Sequence, residues 1–385
     1  MRPPTILDFA VRTDPPLMIG AIAHLTGAAP TTSELIGHIG SILGRTPTLR
    51  TSLADRWIVE SPQLDTRIHH WTVPVWDDAA RDLTTTPLPH DGPRWDLIVV
   101  DGYEPLSYAL CFRVDHCVFD YGALAHLVEV VLGPVPASSA VVPDRRPAAV
   151  IPRIPAAASR LAGSFSRSTT WPIAAYGHSP QRAYHWSRTA AGDLDHPRAT
   201  RNDVYIAAMA GAVGRWLSEH GVPSPDSGIE VLVPVNVRRP RQAADPGNHT
   251  APLRIRVRAP HPESVARVMN PIREPGTRQA LRVLLDLAPR RLLLRSLPRL
   301  LDPAYATVVA SSFRLRHALS YRGDPVVRMD PIVVAPNGYP VAALALTYGE
   351  NLSVSFATDS ALPDMDRFHQ HWADQVARVS NATES

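Results

Sequence analysis

The chain has no lysine: all 39 of its basic residues are arginine. With 39 prolines and abundant alanine, that usage reads as a base-composition bias of the gene rather than as chemistry. Cysteine is nearly absent. Cys111 and Cys117 lie six apart around one strand end, too few for a zinc set, and a reducing, cytoplasmic setting is expected. No run of eighteen apolar residues occurs, and no charged stretch leads into an apolar one at the start. Neither a membrane span nor a signal peptide is therefore expected. There is no G-x-G-x-x-G after a strand and no Gly-rich phosphate loop, so nucleotide-driven chemistry has no support. A net charge of +3, with a pI near 9.0, is too small and too scattered to imply nucleic acid.

What remains is 385 residues, 45% apolar and 19% charged, enough for two domains with large cores and unlike a disordered chain. Leu35 to Leu43 has helical spacing, with Ser33 as the expected N-cap. Leu97 to Val100 and Ser107 to Asp115 read as strands about the turn at Asp101-Gly102. Leu124, Leu127, Val128 and Val131 follow at helical spacing, closed by Gly133. From about 134 to 179 Pro, Ala, Ser and Arg dominate without periodicity, as in a linker. A strand is expected near Ala183-Trp186. Thr200 and Asp203 form a capping-box pattern before Val204–Leu217, a helix apolar all round and so buried. Ile229–Val235 and Leu253–Val257 read as strands, Leu344–Phe356 as a hairpin about Gly349, and Met365–Val379 as a closing amphipathic helix.

The most informative stretch is Phe112-Arg113-Val114-Asp115-His116-Cys117-Val118-Phe119-Asp120-Tyr121-Gly122. His116 shares its parity with Tyr108, Leu110, Phe112 and Val114, so it extends the apolar face of its strand while Asp115 points away with Arg113. Imidazole titrates near neutrality, so a histidine so placed can take a proton from a hydroxyl or amine. An aspartate four residues on would hold the turn, paired with an arginine. On spacing alone, a buried histidine hydrogen-bonded at a strand end is the favoured reading.

The wider pattern resembles the condensation-domain superfamily of acyltransferases, most nearly its bacterial wax ester synthase/diacylglycerol acyltransferase-like branch. The resemblance runs in order along nearly the whole chain. It rests on Ile6-Leu7-Asp8, Pro16–Gly20 and Pro93-Arg94-Trp95. Asp115–Asp120 stands where the family has H-H-x-x-x-D-G, and Asn202-Asp203 opens the buried helix. Pro234–Arg238, Gly247-Asn248 and Leu362-Pro363-Asp364 complete it. The resemblance implies an α/β (α+β) fold of two chloramphenicol-acetyltransferase-like lobes in a V, with the active site in a tunnel between them. It divides the chain into an N-terminal lobe at 1–150, a linker at 151–180 and a C-terminal lobe at 181–385. It assigns His116 as the base, Asp120 as the structural carboxylate and Arg238 as its partner, with Asp115, Gly122, Asn202, Asn248 and Trp95 as structural support.

The implied reaction moves an acyl group from a CoA or carrier-protein thioester to a hydroxyl or amine of a small molecule, with no metal and no bound cofactor. Three departures stand out. Asp115 replaces the family's first histidine. Tyr121 replaces the glycine after the aspartate, with Gly122 one later, and would narrow the tunnel. Ser311-Ser312-Phe313-Arg314-Leu315 occupies the place of a Ser-Asn-Val-Pro-Gly-Pro-like stretch, so a remodelled acyl channel is expected. These point to a dedicated step in specialised metabolism rather than bulk lipid synthesis. A degenerate docking scaffold for a carrier protein or enzyme, or a cyclisation on the same fold, are the alternatives.

Other features have plainer readings. His69-His70 has Pro74 four residues on and reads as part of a strand; Cys117 reads as packing. Arg278 to Leu301 alternates Arg with Leu. It fits surface helices as well as a contact with CoA phosphates, a carrier protein or an anionic membrane, which would make the protein peripheral.

Overall fold

Two six-stranded sheets, each with helices packed on it, organise the computed structural model of the chain. The structure describes residues 16–133, 151–164, 181–287 and 308–384, apart from positions 227, 240, 241, 243, 334 and 336–338. It also describes the isolated positions 4, 8, 12, 176, 177 and 179. The linker composition and the Arg/Leu stretch beyond Leu287 fall mostly outside these residues.

The first half contains β1 (Met18–Thr26), α1 (Thr32–Ile42), β2 (Thr51–Leu53), β3 (Trp57–Val59), β4 (Ile68–Thr72), α2 (Trp76–Thr85), β5 (Trp95–Asp101), β6 (Ser107–Asp115) and α3 (Tyr121–Leu132). After α4 (Ile154–Gly163) come β7 (Arg182–Ala190), α5 (Arg201–Glu219), β8 (Ile229–Asn236), β9 (Thr250–Val257), α6 (Pro262–Arg273) and α7 (Pro275–Leu287). The last part holds β10 (Val308–Leu315), β11 (Ser320–Tyr321), β12 (Asp324–Ile332), β13 (Val341–Tyr348), β14 (Asn351–Asp359) and α8 (Phe368–Glu384). One sheet runs β11-β12-β1-β6-β5-β4 and the other β7-β14-β13-β10-β8-β9.

Side-chain alternation along β6 builds the first lobe. Tyr108, Leu110, Phe112 and Val114 pack with α1 and α3, while Ala109 and Cys111 pack with α2 on the opposite face. The buried Arg113 shares that second face and donates to both oxygens of Asp96 at 2.9 and 2.5 Å. In the second lobe α5 is buried along most of its length, as its continuous apolar sequence requires, and packs against α8. Thr200 and Asp203 cap it reciprocally, as the sequence predicts. The expected cap at Ser33 is corrected: the N-cap lies two residues earlier, where Thr31 and Glu34 form the capping box. The reason is chemical, since only Thr31 has a carboxylate three residues on to return its hydrogen bond.

Chain order and sheet order do not coincide. β11 and β12 leave the second half of the sequence and complete the first sheet, β12 pairing antiparallel with β1. Helix α4, inside the expected linker, packs against β9 and α7 of the second lobe. At this crossing the buried Asp330 of β12 accepts hydrogen bonds from both lobes. His24 Nε2 lies 3.0 Å away, Arg188 Nη2 2.7 Å, Arg188 Nε 3.0 Å and Ser353 Oγ 2.6 Å. Trp186 Nε1 donates to Pro331 O beside it at 2.7 Å. Burial alone would raise the Asp330 carboxyl, but hydrogen bonds from His24 and Arg188 outweigh it and hold it well below the ordinary carboxylate range.

Arg328 Nε also lies 3.2 Å from this carboxylate, so removing it strands two arginines and a histidine. Asp330→Ala should cost about 3 kcal/mol of stability, at the low end for a broken buried pair because Arg188 and Arg328 keep access to water. The shift of the urea midpoint measures it, and an unchanged midpoint would show that the lobes are not tied here.

Candidate active site

Strand β6 ends at Asp115, and the chain turns through residues 116–119 into α3. The turn is fixed by short-range bonds. Asp115 is buried, accepts from the backbone N–H of Cys117 at 2.9 Å and lies 3.9 Å from the Arg94 guanidinium. Burial raises its carboxyl above the usual range. It helps to fix the turn through the Cys117 N–H.

His116 is half-buried. Its backbone N–H donates to Leu17 O at 2.8 Å, and its carbonyl accepts from Asn248 Nδ2 at 2.8 Å. Ring Nδ1 is 2.8 Å from the carbonyl of Phe119. A carbonyl can only accept, so Nδ1 carries a proton, and in the neutral ring the lone pair is on Nε2. No described residue bonds to Nε2.

Asp120 caps α3, accepting from Ala123 N at 2.8 Å. It also accepts from Arg238 Nη2 at 2.8 Å and from His249 N at 2.9 Å, both of the second lobe. Arg238 is held in turn by the carbonyls of Gln242, Asp245 and Gly247. The Gly247 N–H donates to Val118 O at 2.6 Å, closing a bridge between lobes beside the histidine. Burial pushes the Asp120 carboxyl up. The Arg238 charge and the N–H groups of His249 and Ala123 outweigh it, so the carboxyl sits below its ordinary value of 3.8.

The displaced glycine has a spatial role. A Cβ on Gly122 would stand 3.2 Å from Asp120 Oδ1 and 3.4 Å from Arg238 Nε, so a side chain here would press on the ion pair. Tyr121 occupies the first turn of α3. Its ring is 5.7 Å from that of His116 and stacks on Phe313 of β10 at 5.7 Å and 10°. Beyond it opens a cavity of about 570 Å³ between α3, β8 and β10, lined by Tyr121, Asn236, Ser311, Phe313, Arg314 and Arg316 among others. Arg314 and Arg316 are exposed at its edge, with no carboxylate partner for either guanidinium among the described residues. A second cavity, of about 870 Å³, lies between α2 and β7.

The remaining expected residues support rather than face the cavity. Trp95 is buried and donates to Leu49 O at 2.8 Å. Asn202 accepts from Ser312 Oγ at 2.7 Å, tying α5 to β10 beside the cavity. The Asn248 backbone N–H donates to the buried Asp8 carboxylate at 2.6 Å. His70 lies in β4 and pairs with Asp101 at 2.8 Å, away from the turn. Cys117 is buried, and burial pushes its thiol far up, which leaves it un-ionised at neutral pH. Among the described residues no group of His, Cys, Asp or Glu could hold a metal ion, and no helix is long and apolar enough to cross a membrane.

Similarity to solved structures covers nearly the entire chain. The wax ester synthase/diacylglycerol acyltransferase of Marinobacter aquaeolei VT8 superposes with a TM-score of 0.59 at 14% identity, covering 96% of each chain. A mutant starter condensation domain of rhizomide synthetase RzmA, solved with C8-CoA and Leu-SNAC, gives 0.68 at 15% identity, covering 98% of this chain and 92% of that one. The chain has the condensation-domain fold. Two Mycobacterium tuberculosis proteins, of strains CDC 1551 and H37Rv, are provisionally named diacylglycerol O-acyltransferases. Each is 24% identical over 375 residues, covering 90% of this chain and 82% of its own. No protein-family model matches.

Sequence reasoning did not find the Phe119 carbonyl that fixes the tautomer of His116, because a backbone acceptor carries no side-chain signal. It also missed the backbone of His249 as a partner of Asp120, for the same reason.

Asp120→Ala should destabilise the protein by about 3–5 kcal/mol, leaving Arg238 buried without its partner. Asp120→Asn tests the charge. Because the native carboxyl lies below its unfolded value, its contribution is full above about pH 4 and is lost as pH falls through the native value. The stability gap between the wild type and Asp120→Asn should therefore be constant from pH 7 to about 4 and shrink below it, as followed by urea unfolding. A gap independent of pH down to 2 would remove the ion-pair account.

Proposed function

We propose that this chain is an acyltransferase that moves an acyl group from a CoA or carrier-protein thioester to the hydroxyl or amine of a small molecule. The observation that carries the reading is the orientation of His116, with Nδ1 committed to Phe119 O, Nε2 without a described partner, and the ring 5.7 Å from that of Tyr121, which lines the interlobe cavity. Nε2 takes the proton of the acceptor as its oxygen or nitrogen attacks the thioester carbonyl. The tetrahedral intermediate collapses, the carbon–sulfur bond breaks, and the departing thiolate recovers the proton from the imidazolium. Asp120 does not touch substrate in this scheme. Through Arg238 and His249 it holds the turn that aims the ring, and is a positioning residue. Asp115, Trp95, Asn202, Asn248 and Gly122 keep the turn and cavity walls in place.

Arg314 and Arg316 suit the phosphates of CoA or phosphopantetheine, since unpaired guanidiniums at a cavity edge bind phosphate oxygens in forked geometry. The departures at Asp115, Tyr121 and Phe313 favour a dedicated cytoplasmic step in specialised metabolism over bulk lipid synthesis. One observation favours a second reading, a docking scaffold: the aromatic side chains of Tyr121 and Phe313 fill space beside the base.

Thiol release from a panel of acyl-CoAs and acyl-carrier proteins, with candidate acceptors, separates the two. His116→Ala should lower turnover by about 10² or more while its melting temperature stays within about 3 °C. Full activity in that variant would sink the mechanism. Acceptor-independent silence of the wild type, with carrier binding retained, supports the scaffold. Replacing Arg314 and Arg316 together by Glu should raise KM for a CoA donor about tenfold and flatten its salt dependence, with kcat little changed.

A further inference from the structure

We infer that Tyr121, backed by Phe313, sets the length of acyl group this chain accepts and restricts it to short ones. The inference rests on the acyltransferase reading and names the substrate class of that site. Tyr121 and Phe313 line the 570 Å³ cavity, whereas His116 does not; the Tyr121 ring lies against both His116 and Phe313. Behind the pair, Leu232, Tyr339 and Leu344 form a buried apolar cluster against which Tyr121, Phe313 and Tyr184 pack. Tyr184 in turn lines the 870 Å³ cavity between α2 and β7. Aromatic and aliphatic side chains of the protein thus fill the space between the two cavities, where a carbon chain extending past the base would lie.

Tyr121 is the side chain in this cluster that can be removed with least effect on the turn. The clamp on Asp120 uses the N–H groups of Ala123 and His249 and the guanidinium of Arg238, and nothing from the Tyr121 side chain. Its replacement by a small residue leaves that clamp intact and opens apolar volume next to His116. Phe313 provides an independent handle from the other lobe, on a half-buried strand position.

The test measures binding and turnover separately. Non-reacting S-alkyl-CoA thioethers with two, four, eight and twelve carbons are titrated calorimetrically against wild type, Tyr121→Ala, Tyr121→Phe and Phe313→Ala. Wild type and Tyr121→Phe should gain no affinity beyond four carbons. Tyr121→Ala and Phe313→Ala should gain about fourfold per added methylene over the next few. The kcat/KM ratio of the C8 to the C4 acyl-CoA should rise at least about tenfold in the same two variants. Steady gains to twelve carbons in the wild type, or an unchanged length profile in both alanine variants with native melting behaviour, overturns the inference. Transfer with an unmoved length profile leaves the acyltransferase reading standing and removes the gate. A moved binding profile without transfer from any donor keeps the length-setting role and removes the acyltransferase. Absence of binding by every analogue to every variant overturns both.

Discussion

A single buried carboxylate, that of Asp120, decides where the two lobes stand at the candidate site. It starts α3 in the first lobe and accepts from Arg238 and the His249 backbone in the second. An ion pair taken out of water needs most of its remaining hydrogen-bonding positions filled: here Arg238 meets three carbonyls and Asp120 two N–H groups, with only Arg238 Nε left without a partner among the described residues. The turn carrying His116 is therefore held from both sides. Its ring is aimed by the backbone carbonyl of Phe119, the residue before Asp120, rather than by a second acid.

The same logic recurs where β12 crosses between lobes. Asp330 gathers His24, Arg188 and Ser353 around one buried charge. Burial holds the His24 imidazole below its usual titration range, against the opposing pull of Asp330. It can therefore be neutral, donating from Nε2 to the carboxylate while Nδ1 lies 3.1 Å from Arg328. The two charge clusters lie at different contacts between the lobes, one beside the proposed base and one at the strand crossing. The apolar cluster of Leu232, Tyr339 and Leu344 occupies the space that polar contacts leave.

Local features were legible in the sequence. Alternation along Ser107–Asp115 gave both faces of β6, and the Thr200/Asp203 box gave the start of α5. Gly133 marked the end of α3. The Asp120–Arg238 pair was readable only through the order of short patterns along the chain, since spacing alone cannot bring residues 118 positions apart together. The Asp330 network was not readable at all. Its partners lie 306 and 142 positions away, and a charge inside a strand signals that it needs a partner without naming one. Tyr121 was visible as a departure, but its stacking on Phe313 depends on how two sheets approach, which no local pattern records. The Ser33 cap failed for a local reason, because a hydroxyl without an acid three residues on loses to one that has it.

The insertion of β12 beside β1 has a consequence for synthesis. During translation the first lobe emerges with β1 paired on one side only, to β6, and its other edge waits until nearly the whole chain has left the ribosome. That edge belongs to a strand of sequence MIGAIAHLT, almost wholly buried in the finished protein. An uncovered, apolar strand edge is a template for pairing with other chains. Closing it requires a contact of very long sequence separation, which is slow to form. The nascent first lobe is thus the aggregation-prone species of this protein, and β12 is the segment whose arrival ends that exposure.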